Sequence, residues 1–134
     1  MAELSSIARP YAQAVFELAK DSGHYGPWSE ALEFLATVAA DKDMAALFSN
    51  PRVSRQQAAD IVIGLLGEAV GDEPKNLVRL LAQNRRLQAL SAISEQYELL
   101  RAEAERTIRA ELESALPISD EEQHRIAGAL KTRL

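Results

Sequence analysis

The side chains able to do chemistry near neutral pH are few and scattered. His24 and His124 are the only histidines, and neither stands at a spacing from other ligand types that would hold a metal ion. The chain has no cysteine, which removes thiol nucleophiles, thiolate metal sites and disulfides together. It contains no glycine-rich phosphate loop, nucleophile elbow, CxxC or HExxH pattern. Its 20 acidic residues fall on the polar faces of amphipathic stretches, away from the apolar settings that raise a carboxyl pKa for acid–base work. No catalytic, cofactor-binding or metal-ligating residue is therefore expected, and no cofactor. What remains is the chemistry of surfaces.

Composition narrows the class of surface. A net charge of −5 on 134 residues argues against a phosphate-binding face and hence against nucleic acid. The N-terminal MAELSSIARP lacks a basic region followed by an apolar run, so it is not read as a secretory signal. The greasiest run, Ile61 to Leu66, is far too short to cross a bilayer. A cytosolic chain is expected, with no membrane insertion of its own. Ala, Leu, Glu, Arg and Gln dominate while β-branched and aromatic residues are sparse, which predicts an all-α fold.

The helices that must carry any surface can be placed from caps and breakers. Ser5 or Ser6 can cap a first helix running to about Lys20, with Pro10 near its first turn and Gly23 ending it. Gly26-Pro27 opens a second, whose inward stripe is Trp28, Leu32, Leu35 and Ala39. Asp41 or Asp43 caps a short third helix, Met44 to Ser49, stopped by Asn50-Pro51. Ser54-Arg55-Gln56-Gln57 matches a capping box before a fourth helix that is apolar nearly all round and so is expected to be the most buried. Gly64 within it suggests close backbone approach, and Gly67 and Gly71 its end and the next turn. The fifth helix ends at Asn84, read as a left-handed cap, with Arg85 and Arg86 where the dipole favours cations.

A long sixth helix follows, with Leu90, Ile93, Tyr97, Leu100 and Ala104 as its seam and charge pairs four apart beginning at Arg101–Glu105. Thr107 to Ser114 fits helical or strand spacing equally, and Pro117 ends either version. A second capping box, Ser119 to Glu122, opens a short last helix through Ile126, Ala127 and Leu130.

Two of these helices carry more apolar surface than one core-facing stripe requires. In helix one, and in the fifth helix at Leu77, Val78, Leu80, Leu81 and Ala82, the arc covers roughly 200°, about twice the usual width. Either both are central helices and the whole arc is core, or they lie side by side and leave a groove for an amphipathic helix from a partner.

Three segments also resemble a known family: ARPYAQAVFELA at Ala8 to Ala19, NLVRLLAQNRRL at Asn76 to Leu87, and the Pro117-Ile118-Ser119 junction before a Glu/Gln-rich helix. In order and spacing they are similar to the delta subunit of bacterial F-type ATP synthase, whose mitochondrial counterpart is the oligomycin sensitivity conferral protein. The resemblance implies a six-helix bundle at residues 3–105 and the start of a C-terminal α/β domain at 106–134, cut short relative to family members. It implies a non-catalytic stator subunit, peripheral on the cytoplasmic face of the inner membrane, which supports proton-driven synthesis and is monomeric in isolation. It further implies that the N-terminal helix of an alpha subunit binds between helices one and five. Tyr11, Ala14, Val15 and Leu18 match the first wall and Val78, Leu81 and Ala82 the second. The b subunit stalk would be received by the C-terminal domain, most of which this chain lacks. The competing reading is an unrelated helical adaptor that grips some other amphipathic helix.

Overall fold

The computed structural model describes residues 2–68, 70–115 and 120–133. Among them the chain is all-α, with seven α-helices, one 3-10 turn and no strand. The helices are α1 (Ala2–Ser22), α2 (Tyr25–Ala40), α3 (Lys42–Ser49), α4 (Arg55–Leu66), α5 (Asp72–Gln83), α6 (Leu90–Ala115) and α7 (Asp120–Arg133), with the 3-10 turn at Leu87–Ala89 between α5 and α6. Two compact units are distinguished, Met1–Leu100 and Arg101–Leu134.

In the first unit the core is a single apolar cluster drawn from α1, α2, α4, α5, the 3-10 turn and the start of α6. Its largest fully buried side chains include Tyr97, Leu32, Leu35, Leu81, Leu90 and Ile93. No charged or polar residue is buried among the described residues, so the unit is held by apolar packing rather than internal ion pairs. The sixth-helix seam appears as expected, with Leu90, Ile93 and Tyr97 buried and Leu100 packed against them. The Tyr97 hydroxyl donates to the Tyr25 carbonyl at 2.7 Å, which pairs the one polar atom of this large side chain.

Helix ends differ from the sequence reading where tertiary contacts outweigh local signals. Helix α1 begins at Ala2, so Ser5 and Ser6 lie inside it and Pro10 is an interior residue. Gln96 of α6 explains the longer start, because its side-chain amide donates to the Ser5 carbonyl at 2.7 Å and to the Ser5 hydroxyl at 3.0 Å. Leu4 and Ile7 also pack on the core, which offsets the backbone bond that Pro10 removes. Helix α2 begins at Tyr25, leaving Pro27 in the first turn, where backbone donors have no intrahelical acceptor to lose.

Caps elsewhere follow the sequence closely. Asp41 caps α3, accepting from the backbone of Asp43 at 2.8 Å and of Met44 at 3.3 Å. Ser54 and Gln57 close the reciprocal capping box of α4. Gly23 takes φ +76° after α1, and the His24 amide reaches back to the Ala19 carbonyl, the closing bond of a Schellman turn.

Helix α4 is buried along one face only, to no greater extent than α5. Ala58, Ala59, Val62 and Leu66 face inward, but Ile61 and Leu65 are 39% and 50% exposed. The helix packs on α5 and α2 along one side only, and an all-round apolar sequence cannot say which side that is. Nothing lies within 4 Å of a Cβ placed on Gly64, so that glycine serves no close approach.

In the second unit, Thr107 to Ser114 is helical and belongs to α6. The Arg101–Glu105 pair at 3.0 Å supports the helical state locally, and the Thr107 hydroxyl donates back to the Glu103 carbonyl one turn earlier. Ile108, Leu112, Ile126 and Leu130 are all about half exposed or more. Pro117 and the Ser119 capping position fall outside the described residues.

Candidate functional site: a groove between the first and fifth helices

Helix α1 presents Tyr11, Ala14, Val15 and Leu18 on one face, the i, i+3, i+4, i+7 set of a single helical stripe. Helix α5 presents Glu73, Asn76, Leu77 and Leu80 in the same pattern. These two stripes, with Trp28 between them, line an open groove of about 310 Å³. Ala14 and Leu18 are exposed, the latter by 41%, and Leu80 by 46%. Tyr11, Val15, Trp28 and Leu77 form the floor and are each no more than 8% exposed.

The wide apolar arc of α5 is thus divided. Val78 and Leu81 are wholly buried and Ala82 nearly so, on a face roughly 140° round the helix from the groove stripe. The structure turns these three toward the core, where α5 packs on α4. The sequence reading placed them on the groove wall; the residues of α5 that line the groove are Glu73, Asn76, Leu77 and Leu80. Arc width alone could not separate the two faces, because Leu77 and Leu80 continue the apolar arc of Val78, Leu81 and Ala82. Among the expected residues the structure brings together Tyr11, Ala14, Val15 and Leu18.

Tyr11 is held by the turn after α5. Its hydroxyl accepts from Asn84 Nδ2 at 3.0 Å and from Arg86 Nη1 at 3.3 Å, and the Arg86 guanidinium lies 6.0 Å from the ring centroid, at the outer limit of a cation–π contact. The turn that aims these donors is a Schellman motif. The Arg86 amide bonds to the Leu81 carbonyl at 2.7 Å and the Arg85 amide to the Ala82 carbonyl at 3.1 Å. Asn84 is not the left-handed residue (φ −90°, ψ 3°); Arg85 is, at φ 56°. The shift by one position frees the Asn84 side chain to reach Tyr11. The run Asn84-Arg85-Arg86 therefore closes a helix and braces a groove wall at once.

A larger hollow of about 600 Å³ lies between α2, the end of α4 and the start of α5, with Phe34 and Leu65 on its rim. The all-round apolar pattern of α4 was the signal for it. His24 lines that hollow while His124 stands exposed on α7. Among the described residues no three His, Asp or Glu side chains converge to hold a metal ion.

The family model for the ATP synthase delta (OSCP) subunit matches residues 7–134. The chain belongs to that family. It is 52% identical over its full length to the ATP synthase subunit delta of Alkalilimnicola ehrlichii, covering 75% of that protein. Identity is 46% to the corresponding subunit of Thioalkalivibrio sulfidiphilus and 42% to that of Nitrosococcus oceani, each again over the full chain and 75% of the relative. As a family member the chain is a non-catalytic subunit of the ATP synthase and a peripheral component of the complex, its partners there being the alpha subunits and the b stalk. Among the described residues no helix is long and apolar enough to cross a membrane.

Proposed function

We propose that this chain is the stator joint of the synthase, and that it holds the catalytic head by seating the N-terminal helix of one alpha subunit in the groove between α1 and α5. The b stalk then engages the C-terminal part of the chain on the cytoplasmic face of the membrane, and residues 3–105 act as the socket domain. The observation that carries this reading is a trough between two facing stripes, in which Ala14, Leu18 and Leu80 are exposed along the rim over a buried floor of Tyr11, Val15 and Leu77. An exposed apolar trough with one small residue, Ala14, on its lip suits a helix that approaches closely and lays an apolar stripe into it. A stator joint needs slow dissociation rather than turnover, and a groove formed before the partner arrives supplies it with little rearrangement.

The reading is tested by calorimetric titration with a synthetic peptide of the first twenty or so residues of the same organism's alpha subunit, about 30 Å when helical. Saturable one-to-one binding, with chemical-shift changes clustered on α1 and α5, is expected. Binding that shifts residues of the α2–α4 hollow instead would overturn the assignment of the groove.

A further inference from the structure

The geometry points to a groove with a direction: the Tyr11 end, where Asn84 and Arg86 converge, takes a carboxylate of the docked helix, and the Glu73 end takes a cation. This inference rests on the groove being the seat of an amphipathic helix.

The two stripes run antiparallel, since Tyr11 meets Asn84 while Glu73 and Leu18 line the same groove further along. At the Tyr11 end two donors converge on the Tyr11 hydroxyl: the Asn84 amide and the Arg86 guanidinium. Only part of their capacity is used, because an arginine offers five N–H donors and an amide nitrogen two. Among the described residues Arg86 has no carboxylate partner, and its head group is held over Tyr11 rather than left to wander. Glu73 is the one carboxylate on the groove lining, in the first turn of α5 beside Asp72.

The floor between these ends is apolar, so a charge on the docked helix must either reach an end or lose hydration without compensation. The two ends are set on α5 by Glu73 and Asn84, eleven residues or about three helical turns (~16 Å) apart. The partner that fits is an amphipathic helix with an acidic and a basic residue about three turns apart on the edge of its apolar stripe, the acidic one at the Tyr11 end. A helix laid in backwards would bring like charges together at both ends, so the ends select orientation.

The test is titration of the whole chain and its variants with the alpha-subunit peptide described above. Arg86→Glu is expected to weaken binding about tenfold or more, whereas Arg86→Lys stays within about threefold of the parent because the charge remains. Raising NaCl from about 0.05 to 0.5 M weakens the parent complex, and the effect shrinks in Arg86→Ala. Converting each peptide carboxylate to its amide in turn identifies one position whose effect disappears in the Arg86→Ala background.

Tyr11→Phe keeps the ring and removes the shared acceptor, and is expected to change affinity less than Arg86→Glu does. A loss as large as that of Arg86→Glu means that Arg86 acts only by bracing Tyr11, and overturns the inference. So does parent-like binding by Arg86→Glu while Ala14→Asp abolishes it, a result that leaves the groove in place and removes its polarity. Absence of any peptide binding removes the groove reading and this inference with it. Melting curves of each variant separate these outcomes from misfolding, Arg86 being an exposed side chain.

Discussion

Ala14→Asp separates groove from core more cleanly than any other single change. Ala14 sits mid-helix on α1, exposed, at the lip of the groove. In the free chain the new carboxylate points into water. The cost is the lower helix propensity of aspartate, about 0.6 kcal/mol, which a stable first unit absorbs. In the complex the same position lies beneath a partner helix. There the carboxylate is desolvated against apolar side chains, at a cost of about 1–3 kcal/mol for an unpaired polar group and more for a charge. The added side-chain atoms also hold the partner away from the Val15 and Leu77 floor. A combined loss of about 3 kcal/mol corresponds to a fall in affinity of about 100-fold or more.

Calorimetry with the alpha peptide reads the affinity, and far-ultraviolet circular dichroism through a thermal melt reads the fold. The expected pair of results is lost binding and a melting temperature lowered by only a few degrees. Affinity within about threefold of the parent means that no partner helix covers Ala14. Collapse of the helical signal means that Ala14 is packed rather than free. Either result refutes the reasoning.

Three further expectations concern how the groove is supported. Leu81→Ala, at a wholly buried position, should cost about 2–5 kcal/mol in urea unfolding; a change below about 1 kcal/mol would return Leu81 to the groove wall. Arg85→Gly relieves a left-handed residue at φ 56°, and after allowing for the freer unfolded chain should stabilise by about 0.5–1 kcal/mol, raising the melting temperature by several degrees. Ser54→Ala removes one half of the capping box and should destabilise by about 1 kcal/mol, detected as earlier amide exchange at the start of α4 with peptide affinity unchanged.

Tyr11, Ala14, Val15 and Leu18 were matched to the first wall through the family resemblance, because the wide apolar arc of α1 by itself left groove and core undecided. The second wall was not legible. Leu77, Val78, Leu80 and Leu81 are nearly equivalent in volume and hydropathy, so only the packing of α5 in the unit decides that Leu80 is the one left exposed. The brace on Tyr11 was equally hidden, since a dipole argument accounts for two arginines after a helix without asking where their side chains go. Local caps were read well at Asp41 and Ser54, where one side chain satisfies backbone a few residues away. They were read poorly at α1, where Gln96, distant in sequence, sets the geometry of Ser5.

That last contact, with the one from Tyr11 to Asn84 and Arg86, has a consequence for biosynthesis. The polar contacts that fix the first wall of the groove come from 73 or more residues further along the chain, although α2 packs on α1 sooner. At about 5–20 residues per second the wall waits several seconds for its second half. During that time α1 can pack on α2 but has no second groove wall beside it. Under the proposed function, capture of the partner helix is therefore a property of the finished unit.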